Sequence, residues 1–196
     1  MNIKKIFVLL LILNLNAVYA KSVEPDVFVQ STVNRASAIL TKNISKEDKM
    51  NELKLIAKDT VDIRGIGLYT LGSFRKNLSE NEINEYSALF ENYFLKTFSS
   101  RLSEYTNPKI EVKDKKVLNK NYTIVNSVLV GTSERPEVKI DWRIYTKNAD
   151  NPLIRDLIIE GLSLVRTQKE EFASILNSNN GDINSLFKVL KEFVTK

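Results

Sequence analysis

Asp156-Leu157-Ile158-Ile159-Glu160-Gly161-Leu162-Ser163-Leu164-Val165 is the stretch that decides the fold. An apolar run of strand length reaches a glycine, a serine follows, and apolar residues then recur at helical spacing through Phe172, Ile175 and Leu176. Serine is a good N-cap because its side chain accepts a hydrogen bond from an otherwise unpaired first-turn amide, so Ser163 is expected to start a helix over 164–177. A sheet therefore passes into a helix here, with no catalytic grouping at the junction.

Upstream of this stretch the pattern has period two. Ile110–Val117, Tyr122–Val130, Val138–Tyr145 and Leu153–Ile159 read as four strands joined by short, turn-rich links, which predicts an antiparallel meander. Val138, Ile140, Trp142 and Ile144 share one face, and Lys139, Asp141, Arg143 and Tyr145 share the other. One covered face and one wetter face follow.

Helical spacing occupies the first half. Residues 25–41 open on Pro25 and place Val29, Val33, Ala36 and Leu40 on one stripe. Ser45 caps a segment carrying Met50, Leu53 and Ala57. Val61 to Leu71 continues at helical spacing, interrupted by Gly65 and Gly67. Ser79-Glu80-Asn81-Glu82 is a capping box, followed by an aromatic stripe of Tyr86, Phe90, Phe94 and Phe98 that runs towards Tyr105 before Pro108. Asp182 caps a last helix with Leu186, Leu190 and Phe193. About six helices wrapped around a curved sheet make one α+β domain over 21–196.

Residues 1–20 read as an export signal: Lys4 and Lys5, an apolar run from Ile6 to Leu13, and a small-residue cleavage site after Ala20. The run is well short of the about 20 residues that a membrane span needs. No cysteine follows it, which excludes a lipoprotein anchor.

Composition narrows the function. Histidine and cysteine are both absent, so the usual general base, the serine-triad partner and the thiolate or imidazole metal ligands are missing. The 29 basic and 24 acidic residues are interleaved, giving a net charge of +5 with no basic run, and nucleic acid is not an expected partner. Asp156 and Glu160 lie in one strand run at a spacing that could form a carboxylate pair; a brace that bonds backbone or an arginine such as Arg143 is the competing reading.

Several segments, taken in order, resemble the MlaC or toluene-tolerance family of periplasmic phospholipid-binding proteins. Tyr69-Thr70-Leu71-Gly72-Ser73-Phe74-Arg75 resembles the family's leucine-glycine-aromatic segment. The helix with Phe90, Tyr93-Phe94-Leu95-Lys96-Thr97-Phe98 and Tyr105 resembles its long central helix. Ile158 to Val165, with Phe172 beyond, resembles its Glu-Gly-Val-Ser turn. The family's usual tryptophan four residues before the aspartate, and the aromatic often directly before it, are replaced here by Pro152 and Arg155.

The resemblance implies an NTF2-like arrangement, with an apolar cavity between sheet and helices that holds phospholipid tails. It implies a shuttle of a Mla-type system, exchanging lipid with an outer-membrane lipoprotein complex and an inner-membrane MCE-domain ABC transporter, and needing no cofactor, metal or catalytic residue. Candidate lipid-lining residues are Ile66, Leu71, Phe94, Phe98, Val128, Ile140, Trp142, Ile159 and Leu164. Arg143 and Arg155 are candidates for headgroup or partner contact, since guanidinium suits phosphate. Asp156, Glu160, Gly161 and Ser163 are expected to be structural. A ligand-free interaction protein or chaperone, and a carboxylate-dependent enzyme on the same scaffold, are the rival readings.

Overall fold

The structure is a computed structural model that describes residues 22–133 and 135–196; the export signal expected over 1–20 lies outside the described residues. Among the described residues four α-helices come first, one antiparallel sheet follows, and two α-helices close the chain.

Helix α1 (Pro25–Leu40) is followed by α2 (Lys46–Thr60), α3 (Ile63–Thr70) and α4 (Glu80–Leu102). Ser45 Oγ accepts from the Asp48 amide at the start of α2, and both halves of the Ser79–Glu82 capping box form at the start of α4. Satisfying these first-turn amides is worth about 1 kcal/mol per cap. Helix α4 stops at Leu102, short of Tyr105. Helix α3 is unbroken despite its two glycines. Gly67 is needed for packing: a β-carbon there would stand 2.8 Å from the Phe90 ring, so its absence lets α3 lie against α4.

The sheet comprises β1 (Ile110–Asn119), β2 (Tyr122–Leu129), β3 (Val138–Tyr145), β4 (Leu153–Ile159) and β5 (Leu162–Ser163), in that order and antiparallel throughout. The expected four strands are thus five. Glu160 and Gly161 both take left-handed backbone, at φ 50° and 84°, and this two-residue turn folds Leu162 and Ser163 back onto Ile159 and Ile158. What reads in sequence as a strand running into a helix is a tight hairpin first. Glu160 is held there by Lys139, whose amide donates to its carboxylate (2.6 Å) and whose carbonyl accepts from its amide (3.1 Å).

Irregularities between Val112 and Asp114, Val117 and Asn119, and opposite Arg143 add local twist to the ladders. Beyond the start of β4, Val61 adds a parallel bridge to Ile154, and this joins the α2–α3 link to the sheet.

One sheet face carries Val125, Ile140, Trp142 and Ile144 into a core shared with Val29, Ile66, Phe90, Phe172 and Leu186. Tyr86, Phe90, Tyr93 and Phe172 pack ring to ring there, joining α4 to α5 (Leu164–Ser178). Helix α6 (Ile183–Thr195), capped by Asp182, closes over this core with Leu186, Phe187 and Leu190. A second cluster of Ile39, Leu40, Leu53 and Ile56 ties α1 to α2. The opposite sheet face, with Tyr122, Ile124, Asn126, Asp141, Arg143 and Tyr145, stays half-buried, as its polar alternation requires.

Candidate lipid-binding site

The half-buried sheet face and α3 enclose a cavity of about 340 Å³. Its apolar lining comes from Ile66 and Tyr69 on α3, Leu118 and Tyr122 at the β1–β2 hairpin, and Val165 at the start of α5; Arg143, Arg155 and Asp156 supply its charge. The volume lies at the low end of the range of about 300–1,000 Å³ for small-ligand sites. A second hollow of about 450 Å³, bordered by Phe74, Asn77, Glu82, Asn177, Asn180 and Asp182, is larger. Leu78 and Ile183 also border it, but the three asparagines and two carboxylates make most of its wall a poor solvent for hydrocarbon, so the smaller cavity is the better candidate.

The ladder irregularity opposite Arg143 pairs Ile144 with Ile154 and Arg143 with Asp156, leaving Arg155 as the extra residue. Arg155 and Asp156 therefore both reach the face that carries Arg143, where plain alternation would separate them. Their surroundings then set them different tasks.

Arg155 is fully engaged. Its Nε donates to Asp62 Oδ2 (2.6 Å), its Nη2 lies 2.5 Å from the same oxygen, and its Nη1 donates to the Tyr122 hydroxyl (2.7 Å). The guanidinium also lies 3.8 Å from the centroid of the Tyr145 ring. Burial works against its charge, but the bonds to Tyr122 and Asp62 outweigh that effect and hold its pKa above the usual arginine value.

Asp156, 3% exposed, accepts from Ser163 Oγ (2.6 Å) and from the Val165 amide (3.1 Å), while Ser163 Oγ accepts from the Arg166 amide (3.1 Å). Together they fix where α5 departs from the sheet. Glu160 is exposed in the hairpin turn, held by Lys139. The two carboxylates are thus both bound to structural partners.

Arg143 is placed otherwise. Its Nη1 lies 3.7 Å from Asp156 Oδ2, beyond hydrogen-bond distance, and its buried Nε has no partner among the described residues. A guanidinium with spare donors in an apolar cavity wall is suited to a phosphate or carboxylate.

Of the residues expected at the site, Ile66, Arg143, Arg155 and Asp156 meet at this cavity. Leu71, Val128, Ile140 and Trp142 are buried, and Trp142 Nε1 donates to Ser127 Oγ (2.8 Å). Phe94 and Phe98 stack on one another (5.8 Å between centroids) and are half-buried against the core. Ile159 is half-buried at the end of β4, Leu164 is exposed beside the lining residue Val165, and Gly161 is exposed in the turn. Tyr69, Leu118, Tyr122 and Val165 line the cavity without having been singled out. Leu118 alone carried a usable signal: it is an apolar residue inside the otherwise polar link Leu118-Asn119-Lys120-Asn121.

This arrangement defines a class: a single α+β domain whose antiparallel sheet and helices enclose a partly apolar cavity with an arginine on its wall. The family model described as MlaC protein matches residues 30–192, and the chain belongs to that family. Among solved structures the chain is similar to the phospholipid-binding protein from Ralstonia solanacearum, determined in complex with a phospholipid. The TM-score is 0.74 at 17% identity, over 88% of this chain and 98% of that one, a likeness of fold.

Proposed function

We propose that the chain is a periplasmic phospholipid carrier, exported with cleavage after Ala20, whose single domain over 21–196 holds the lipid between sheet and helices. The observation that carries this reading is the cavity itself: apolar side chains from three elements line it together with Arg143, whose buried Nε has no partner among the described residues. Membership of the MlaC family and a structural neighbour determined with a phospholipid bound support it.

Burial of acyl chain is worth about 0.8 kcal/mol per methylene, so a two-tailed lipid would essentially never leave for water. Exchange with a membrane or with another apolar cavity nearly cancels that term, and this is the condition a shuttle must meet. Few strong headgroup contacts are then an advantage, and one arginine with free donors suffices. Seating the tails draws on the neighbouring apolar wall, with Leu71, Phe94, Phe98, Val128, Ile140, Trp142, Ile159 and Leu164 as its candidates. The system served is of Mla type: an outer-membrane lipoprotein complex on one side, an MCE-domain ABC transporter at the inner membrane on the other, and outer-membrane lipid asymmetry as the outcome. Asp156 and Glu160 serve as braces in this reading, and the protein is a carrier and not an enzyme.

Solvent extraction of the purified protein followed by mass spectrometry tests the proposal. Phospholipid recovered in near-stoichiometric amount supports it. Lipid-free protein that stays folded and never acquires lipid would favour the interaction-protein reading.

A further inference from the structure

We propose that the rim of this cavity docks directly on an anionic lipid bilayer, with the tip of the β1–β2 hairpin as its inserting element. The inference rests on the lipid-carrier reading and names the surface the carrier meets. Val117 is 70% exposed and Leu118 46% exposed, and Leu118 lines the cavity as well. Across the opening, Tyr69 (48% exposed) lines the cavity from α3, and Leu164 (42% exposed) adjoins the lining residue Val165 on α5. Apolar side chains from three separate elements thus stand in water around one mouth, at a cost in hydration that a bilayer surface would remove.

The charges fit an anionic surface. Lys116 and Lys120 flank the apolar tip, are exposed, and make no ion pair among the described residues. Lys169 Nζ lies 5.0 Å from the Tyr69 ring centroid on the opposite rim. The one carboxylate in the cavity lining, Asp156, is bound inward by Ser163 and Val165. Edge-strand protection accounts for other lysines of β1, which spend their charge locally: Lys113 on Glu111, and Lys115 on Glu24 and Asp26. It does not account for two adjacent exposed apolar residues between free lysines. Apolar side chains with flanking lysines, and a tyrosine at the rim, match the headgroup region of a membrane.

The test uses processed protein, its N-terminus verified by intact mass so that the apolar run at 6–13 cannot act as an anchor. Sedimentation is measured with phosphatidylcholine vesicles and with vesicles that also contain phosphatidylglycerol, and co-purified lipid is quantified on the same samples. Wild-type protein is expected to bind the anionic vesicles and to release as salt rises. Val117→Asp should reduce binding more than tenfold with lipid content unchanged, and Lys116→Gln and Lys120→Gln should each reduce it about fivefold. Leu55→Asp, at an exposed position on α2, should bind as wild type. Protein that carries lipid but does not bind either vesicle would assign the rim to a protein partner and overturn the inference. So would Val117→Asp binding as wild type. Vesicle binding by protein that carries no lipid would instead sink the carrier reading.

Discussion

Arg143 and Asp156 are opposite one another in the β3–β4 ladder, yet their nearest charged atoms stand 3.7 Å apart, and the buried Arg143 Nε has no partner among the described residues. Twelve residues along the chain, Arg155 on the same face bonds Asp62 and Tyr122 and stacks on Tyr145. One arginine is fully bonded within the fold, and the other keeps a buried Nε with no partner among the described residues.

Replacing the two should therefore separate stability from binding. Arg155→Ala leaves Asp62 Oδ2 and the Tyr122 hydroxyl without this partner, while Asp62 Oδ1 keeps the Gly65 amide, and should cost about 2 kcal/mol in urea unfolding. Arg143→Ala should change stability by less than about 1 kcal/mol, since it removes no close bond, but lower the amount of phospholipid retained after purification. Equal stability losses in the two variants would contradict this division.

Asp156 and Ser163 anchor the start of α5 to the sheet, so their removal should act on stability without a catalytic signature. Asp156→Ala strands a half-buried hydroxyl and an amide, and Ser163→Ala removes a helix cap and leaves the buried Asp156 Oδ2 without its donor, so each should cost about 2 kcal/mol. Denaturant midpoints at constant slope check both values.

Thr70 Oγ1 lies 2.7 Å from both the Gly67 carbonyl and the Tyr86 hydroxyl, deep between α3 and α4. Thr70 has one proton, which it donates to the carbonyl, so Tyr86 donates to Thr70. Tyr86→Phe should then cost only about 1 kcal/mol, whereas Thr70→Val strands a buried phenol and should cost about 2 kcal/mol. Burial pushes the Tyr86 pKa well above the usual phenol value of 10.0. The neutral phenol therefore contributes stability that is present below pH 10.0 and is lost as pH rises through the folded-state value. Tyr86→Phe should flatten that alkaline limb, and an unchanged limb would refute the assignment.

On the acid side, bonds from Lys109 and Lys113 hold the Glu111 carboxyl at about 2, below its usual 4.5. A depressed carboxylate contributes stability above its ordinary value, and that contribution is lost as pH falls from about 4.5 to about 2. Glu111 is at the surface, so the effect should be small and should shrink in salt. Thermal melts of wild type and Glu111→Gln across that range, at low and high salt, measure it.

The elements were legible because their cues are local. The Ser79–Glu82 box, the Ser45 and Asp182 caps and the alternation through Val138–Tyr145 each satisfy backbone or bury a face without help from distant residues. Strand β5 was hidden because Glu160, a residue without glycine's freedom, takes a left-handed conformation that only its bonds to Lys139 sustain. The cavity was half legible. Arg143 and Asp156 follow from alternation, but Arg155 joins them only through a ladder irregularity. Tyr69, Leu118 and Tyr122 are brought to one place by the curling of the hairpin towards α3. Trp142 and Phe94 have the same apolar character as Ile66 and Val165, which border the cavity. Whether such a side chain meets another or meets a void depends on tertiary spacing and not on residue type.

The central claim is tested most directly by reloading. Protein stripped of lipid in denaturant, refolded, and offered phospholipid vesicles is separated from them and weighed by native mass spectrometry. The account predicts a species heavier than the polypeptide by one bound phospholipid in wild type, and a much smaller fraction of it in Arg143→Ala. Refolded wild-type protein with native circular dichroism and only the polypeptide mass would contradict it.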